Sequence, residues 1–235
     1  MTDAPFRIVE AIYPGMTQLD FTAPHTVFSR IPDAEVIVAG EPGGEVTSDG
    51  GLTFAGVRRL ADIDRCDLLF FPGGFAATEV INDAAFMDEA GRLAAGARYL
   101  TSVCTGSLVL AATGRLQGRR AACHWAWRDM LTLFGAIPDP ARVVRDGDII
   151  TGGGVTAGLD FALTVAAELA GPDFAQGLQL QLEYAPAPPF NAGRPETAPP
   201  EILAAVMQRM QAILPVRLAQ AKQAAARLQS TMRSD

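Results

Sequence analysis

Residues 97–114 read Ala-Arg-Tyr-Leu-Thr-Ser-Val-Cys-Thr-Gly-Ser-Leu-Val-Leu-Ala-Ala-Thr-Gly, and this stretch decides the fold. Tyr99 to Val103 is a short apolar, β-prone run that predicts a buried strand. Ser107 to Ala112 predicts a helix that ends at Gly114. Cys104 therefore lies where a strand gives way to a helix, which is the repeating junction of an α/β fold.

The position of Cys104 predicts a reactive thiol. A side chain at this kind of turn stands at the end of the sheet, above the free N–H groups and the positive dipole end of the following helix. Such surroundings lower a cysteine pKa from about 8.5 into the range of roughly 3.5 to 7.5, which gives a nucleophile at neutral pH. A buried structural thiol is the alternative. The strand–Cys–Thr–Gly–helix context favours the functional interpretation.

Composition limits the classes of function. With 235 residues, a formal net charge of −7 and a single lysine, Lys222, the chain has no basic patch for nucleic acid. Its three cysteines lack the spacing of a secreted disulfide scaffold, and its first residues do not resemble a signal peptide, so we expect a reducing cytoplasm. No apolar run approaches the roughly 18 residues of a membrane span.

Two further segments carry candidate site residues. Arg7 to Tyr13 predicts a first strand, and the helix that follows contains Asp20, whose simplest interpretation is a helix cap. Cys66 to Phe71 predicts a buried parallel strand that ends at Gly73 and Gly74. Bare backbone N–H groups at that edge of the sheet are candidate oxyanion donors, although a tight turn explains the two glycines equally well.

The C-terminal part has a different composition. A proline-rich segment from Glu183 to about Pro200 precedes Glu201 to Gln229, which has the pattern of one long helix interrupted at Pro215. We therefore expect an α/β domain over residues 1–200 and a helical extension over residues 201–235. The apolar side of the extension needs a partner, either a second subunit or its own domain.

Several other motifs lead to exclusions. Gly152 to Ala157 nominally fits a dinucleotide fingerprint, but no acidic residue ends a strand about twenty residues later. Cys123 and His124 do not suffice for a metal site, so His124 is interpreted as pocket wall, with a neutral packed histidine as the alternative. No histidine follows His124, which argues against a Cys–His–Glu amidotransferase. Proton transfer to and from Cys104 then falls to a carboxylate or water, and Asp20 is the best candidate if the strand from Arg7 to Tyr13 and the strand from Tyr99 to Val103 are neighbours.

Taken together, these residues resemble the DJ-1/PfpI superfamily, and within it the isocyanide hydratase group, from Arg7 to Pro200. The resemblance rests on Gln18-Leu19-Asp20, Pro72-Gly73-Gly74, Thr101 to Ser107, His124-Trp125, Thr151 to Gly154, Thr156-Ala157-Gly158 and the segment from Gln179 to Gly193. The superfamily motifs indicate the fold and the cysteine. The Cys-Thr pair, Asp20 and the proline-rich segment are the features similar to the hydratase group. Cys123 stands where relatives commonly have threonine.

The resemblance implies a flavodoxin-like α/β sandwich with a mostly parallel sheet, a homodimer, and hydration of an isocyanide to an N-substituted formamide without metal or organic cofactor. It implies Cys104 as nucleophile, Asp20 as acid and Thr105 as adjoining hydroxyl, with a covalent thioimidate. Two alternatives stay open. One is a non-catalytic sensor domain like those of related transcription regulators, and the other is a glyoxalase or deglycase-like enzyme.

Overall fold

An eight-stranded sheet forms the centre of the protein, which is described here by a computed structural model covering residues 5–232. Its spatial order is β3-β4-β2-β1-β5-β6-β10-β9, and all pairings from β4 to β10 are parallel, whereas β3 and β9 are antiparallel edge strands. The strands are β1 (Phe6–Ala11), β2 (Ala34–Gly40), β3 (Gly44–Thr47), β4 (Thr53–Arg59), β5 (Leu68–Phe71), β6 (Tyr99–Val103), β9 (Val143–Asp146) and β10 (Ile149–Gly152). Two short strands, β7 (Arg120–Ala121) and β8 (Ile137–Pro138), pair separately.

Helices cover both faces of the sheet. They are α1 (Gln18–Phe28), α2 (Ala77–Val80), α3 (Ala84–Gly96), α4 (Gly106–Ala112), α5 (Ala157–Ala170), α6 (Pro172–Gln181), α7 (Pro200–Gln211) and α8 (Leu214–Met232), with 3₁₀ turns at Leu60–Asp62 and Arg128–Phe134. The predicted α/β fold with a mostly parallel sheet is confirmed. Helix α6 was not expected, and its first residue is Pro172, a position where the missing N–H costs nothing.

The alternation of side chains along each strand divides the core in two. On one face, Ile8 and Phe70 pack with Val27 of α1 and Phe161 of α5. On the other face, residues including Val9, Leu69 and Phe71 pack with α3, α4 and part of α8. Burial on both faces explains why β5 is apolar at each of its four positions. The sheet is thus held rigidly at its centre, where β1, β5 and β6 lie side by side.

The C-terminal extension is two helices rather than the predicted single one. Helix α7 ends at Gln211 and α8 begins at Leu214, so the break comes just before Pro215. A proline ring clashes with the carbonyl four residues earlier, here that of Gln211, which accounts for the position of the break. Along residues 5–232 no single helix is long and apolar enough to cross a membrane. Taken as a pair with a bend of 59° between them, α7 and α8 reach the required length and apolar composition, and within these residues this is the only feature that suggests a span.

Helix α8 packs back on its own chain. Ala221, Ala224 and Ala225 are buried in the core cluster that also holds α4. The Gln220 side-chain oxygen accepts a hydrogen bond of 2.7 Å from the Thr78 hydroxyl. Helix α7, by contrast, buries none of its side chains. The extension was expected to pack either on a second subunit or on its own domain. In the structure α8 packs on its own domain, and the side chains of α7 stay largely exposed to solvent.

Candidate active site

The candidate site lies where three neighbouring strands end. Cys104 follows β6, Gly73 comes two residues after β5, and Asp20 is the third residue of α1, which follows β1. The sequence-based argument for Asp20 required the strand before α1 and the strand before Cys104 to be neighbours. This condition is not met, because β5 lies between these two strands, β1 and β6. Asp20 nevertheless comes close to Cys104, because it projects from α1 across the end of the intervening strand.

Gly73 makes this approach feasible. A Cβ atom at residue 73 would lie 2.7 Å from Asp20 Oδ2, 2.7 Å from Cys104 Cβ and 2.6 Å from the Thr105 backbone nitrogen. Distances this short are not tolerated between non-bonded atoms, so any side chain here would separate the acid from the thiol. The glycine is needed to leave space between two reactive groups, a role that the sequence-based alternatives of oxyanion donor or tight turn did not include.

The backbone fixes the position of Cys104. Its φ is +57°, in the left-handed region that non-glycine residues seldom occupy. Its N–H donates to the carbonyl oxygens of Gly152 and Gly153, at 3.1 and 2.7 Å. These bonds from the end of β10 stabilise a strained turn, and such strain concentrates at functional sites.

The thiol is not in the low-pKa environment that the sequence predicted. Cys104 is buried, and burial together with the nearby Asp20 carboxylate raises the thiol pKa well above its usual value. A hydrogen bond from the Thr105 N–H acts in the opposite direction but is a smaller effect. Desolvation of the charged form thus outweighs the seven-residue helix α4 that follows.

Asp20 is an unusual carboxyl group. It is fully buried, and burial raises its pKa to about 7, although the Cys104 thiol and the Gly73 backbone lie close enough to lower it. Neither of its oxygens makes a hydrogen bond of good geometry within residues 5–232. The N-cap of α1 is Thr17, and Asp20 makes no capping bond, so the interpretation of Asp20 as a helix cap is wrong.

Asp20 and Cys104 are best treated as one titrating pair. Burial and then the adjacent Asp20 carboxylate raise the pKa of the thiol, whereas the nearby thiol lowers the pKa of Asp20 by less than burial raises it. With an Asp20 pKa of about 7 and a higher thiol pKa, the pair loses its first proton near neutral pH and keeps the second at higher pH. One proton and one negative charge shared between a soft nucleophile and a carboxylate are the components of acid–base-assisted addition.

Thr105 holds the loop that contains the two glycines. Its hydroxyl donates to the Gly74 carbonyl at 2.9 Å and accepts from the Gly74 N–H at 2.9 Å. The Gly74 N–H is therefore engaged by the protein and is not a free donor for an oxyanion, whereas the Gly73 N–H lies against the Asp20 carboxyl group. The Thr105 side chain positions the loop.

Thr105→Val is expected to lower the free energy of unfolding by about 2 kcal/mol, because it leaves the buried Gly74 N–H without a partner and removes one of the two donors to the Gly74 carbonyl at nearly unchanged volume. Chemical denaturation of the purified protein measures this change. Thr105→Ser is the matched control and should stay near wild type, because it keeps the hydroxyl. A valine variant as stable as the serine variant would contradict the assigned role.

The two histidines of the chain have different roles. His25 lies 2.6 Å from the buried Glu10 carboxylate on the α1 face of the sheet, so it does not act as a base for Cys104. His124 lines the cavity that contains Cys104. Burial and the nearby Arg217 charge lower its pKa to about 4, so the ring is neutral. Its Nδ1 accepts a hydrogen bond from the Ala126 N–H at 3.3 Å, which leaves Nε2–H as a donor.

The cavity beside Cys104 has a volume of about 350 Å³. Its far wall comes from the C-terminal extension, with Val206, Met210, Ile213 and Arg217 lining it opposite Cys104. Two larger grooves, of about 700 and 600 Å³, do not include Cys104. We take the smaller cavity as the substrate site because it alone of the three is lined by Cys104, with Asp20 buried behind the thiol.

The sequence analysis expected a partner for the apolar side of the extension, to which Val206, Met210 and Ile213 belong, but it did not assign these residues to the site. In the sequence Arg217 continues this stripe four residues after Ile213, although the helix breaks between Gln211 and Leu214. A charged residue on an otherwise apolar helix face was the available signal. Phe75 and Trp127, whose rings flank the Arg217 guanidinium, were also not singled out.

No group of three or more His, Cys, Asp or Glu side chains suited to a metal ion occurs in the part of the chain that the structure describes. Cys123 is buried, and its thiol pKa is raised to about 12 by burial. Cys66 is likewise buried and free, with a pKa raised to about 12. Of the three thiols, Cys104 is the one that lines the cavity of about 350 Å³ and lies beside the Asp20 carboxyl group.

Comparison with known proteins points to one family. The DJ-1/PfpI family matches residues 7–168. An isonitrile hydratase from Pseudomonas putida is 47% identical over 217 residues, which cover 92% of this chain and 95% of that protein. A crystal structure of a THiJ/PfpI family protein from Pseudomonas syringae is 40% identical, with a TM-score of 0.88 over 94% of this chain and 91% of that one. Drosophila melanogaster DJ-1beta is 25% identical, with a TM-score of 0.68 over 77% of this chain and all of that one.

Proposed function

The chain belongs to the DJ-1/PfpI family, and from this membership we propose that it is an isocyanide hydratase, converting isocyanides (isonitriles) to N-substituted formamides. The observation that carries the proposal is the single-proton pair of Asp20 and Cys104, held together across Gly73. The 47% identity to an isonitrile hydratase over nearly the whole chain favours this activity over a sensor domain or a glyoxalase.

The first step joins the thiol sulfur to the isocyanide carbon. That carbon accepts a soft nucleophile and becomes basic once it is attacked. Cys104 supplies the electron pair for the new C–S bond, and Asp20 delivers the shared proton to the same carbon, giving a thioimidate and a carboxylate. Because the pair holds one proton before the reaction, no external acid is required.

Water completes the cycle. The Asp20 carboxylate removes a proton from a water molecule, whose oxygen attacks the thioimidate carbon, and passes that proton to the nitrogen. The tetrahedral intermediate then collapses with cleavage of the C–S bond, releases the formamide, and returns its hydroxyl proton to the pair of thiolate and carboxylate. The neutral His124 ring, which lines the cavity with its Nε2–H as a donor, is assigned to stabilise the oxygen, since the Gly74 N–H is engaged by Thr105.

Turnover of a simple aryl isocyanide tests the activity. The ultraviolet absorbance of the corresponding formamide reports product formation directly. A protein that produces no formamide but converts methylglyoxal would be a glyoxalase instead. A protein with neither activity would support the sensor interpretation.

We propose that the protein acts as a homodimer in a reducing compartment. The three cysteines are free and buried, in agreement with the expected reducing environment. Helix α7 buries no side chain, and Ile202 and Met207 are 52% and 40% exposed. Exposed apolar side chains on a helix that buries none of its own support association with a second copy of the chain.

Light scattering at micromolar concentration is expected to give a mass twice the 24.8 kDa of the chain. Replacing both Ile202 and Met207 with glutamate should shift the mass toward that of the monomer, because it would place two charges on exposed apolar positions of α7. Glutamate at the exposed Gln223 of α8 is the control and should leave the mass unchanged. A monomer mass for the wild-type protein would contradict the proposal.

A further inference from the structure

The cavity contains a buried cation that the mechanism above does not use. Arg217, on α8, is only 6% exposed and lines the same cavity as Cys104. Its Nη2 donates to the Phe75 carbonyl at 2.8 Å. Its guanidinium carbon lies 4.4 Å from the centre of the Trp127 ring and 5.1 Å from that of Phe75. These contacts use one of the five N–H donors of an arginine and supply no negative charge.

No carboxylate pairs with this guanidinium at 4.0 Å or less within residues 5–232. The acidic groups that raise its pKa are the Cys104 thiol, the Tyr13 hydroxyl and Glu79, and burial lowers the pKa by more than they raise it. The Tyr13 hydroxyl donates to the Pro72 carbonyl, and Glu79 is exposed to solvent. Buried charges in proteins are normally paired, so an unpaired one on a cavity wall indicates an anion that binds there.

The rest of the wall narrows the position of that anion. Val206, Met210 and Ile213 are apolar, and His124 is neutral with a donor at Nε2. Arg209 also lines the cavity, but it is exposed to solvent, which leaves Arg217 as the buried cation. A substrate whose isocyanide carbon meets Cys104 must place the substituent on its nitrogen in the rest of this cavity of about 350 Å³. A planar carboxylate matches the geometry of a guanidinium with free N–H groups.

We propose that the preferred substrates are isocyanides that carry a carboxylate on the nitrogen substituent, and that Arg217 binds this carboxylate. The inference rests on the proposed hydratase activity. It assigns Arg217 a role in substrate selection, in addition to anchoring α8 through Phe75 and Trp127. It also gives the C-terminal extension a direct part in recognition of the substrate.

Paired substrates test the inference. The values of kcat/KM are measured for isocyanoacetate and 4-isocyanobenzoate, each beside its methyl ester, in wild type, Arg217→Met and Arg217→Lys. The carboxylate is farther from the isocyanide carbon in 4-isocyanobenzoate than in isocyanoacetate. The readout is the acid-to-ester ratio of kcat/KM, because a general loss of packing changes acid and ester together. Arg227→Met is the matched control, since Arg227 is also on α8 and also donates to a backbone carbonyl, that of Ile81.

We expect the acid-to-ester ratio of at least one pair to fall in Arg217→Met on the order of tenfold to a hundredfold, the usual effect of losing a charge-assisted hydrogen bond. Arg217→Lys should lose less, and Arg227→Met should keep the wild-type ratio. Equal losses for acid and ester would assign Arg217 to the reacting atoms or to anchoring alone, and would overturn the inference. Unchanged ratios in both pairs would overturn it as well. If the wild-type protein hydrates none of the four compounds, the proposed function itself fails.

Discussion

Cys104→Ala is expected to abolish isocyanide hydration, with a loss on the order of 10⁴-fold or more, because no C–S bond can form without the sulfur. Cys104→Ser should be nearly as inactive, since a hydroxyl is a poorer nucleophile toward the soft isocyanide carbon. Formamide production by the purified variants measures the effect. The fold should persist, because the backbone of residue 104 is held by Gly152 and Gly153 and only one buried atom is removed.

Cys66 and Cys123 provide matched controls for this experiment. Both are free and buried, and neither lines the cavity that contains Cys104. Cys66→Ala and Cys123→Ala are expected to retain turnover, with modest losses of stability from the small cavities that they create. Wild-type turnover by Cys104→Ala would end the covalent mechanism. An equally complete loss in a folded Cys66→Ala or Cys123→Ala protein would show that the nucleophile has been misassigned.

Asp20→Asn is expected to reduce turnover at least on the order of a hundredfold, because an amide cannot exchange the proton that the addition and hydrolysis steps require. Its melting temperature should stay near that of wild type. Asp20 makes no capping bond, and asparagine is nearly isosteric and carries no buried charge. If Cys104 still attacks while protonation or hydrolysis stalls, mass spectrometry of the variant will show a substrate adduct on the cysteine.

The pH profile separates this role from a structural one. The Asp20 pKa is raised to about 7, so the pair holds two protons below that pH and one proton above it. The one-proton form is the reactive form, and kcat/KM of the wild type should therefore rise as the pH increases through about 7 and then level off. Asp20→Asn should lack this transition. Full activity with an unchanged profile in Asp20→Asn would move the proton transfer to another group.

The local sequence pattern was sufficient to predict the strand and the helix at the centre of the fold. The apolar run from Tyr99 to Val103 and the helix after Cys104 were both predictable, because burial on two faces requires a continuous apolar strand. The order of the strands was not predictable in the same way. Residues 7–13 and 99–103 do not reveal that β5 lies between them, since pairing depends on contacts distant in the chain.

The properties of the site depend on those distant contacts. The spacing role of Gly73 becomes visible only when Asp20 and Cys104 are seen on either side of it. The raised thiol pKa results from burial by the whole chain, whereas the sequence showed only the local helix start. Arg217 lies 113 positions after Cys104 and reaches it only because the helix breaks before Pro215 and folds back.

The reacting groups and the wall that contacts the substrate's substituent come from different parts of the chain, and this separation affects how the protein can evolve. The reacting pair is fixed by strands at the centre of the core, where substitutions are costly. The opposite wall comes from α7, which buries no side chain, and from the start of α8. Substitutions at Val206 can therefore change which nitrogen substituents fit without loosening the core. A lineage of such enzymes can diversify its range of substrates by drift in one exposed helix while its chemistry stays constant.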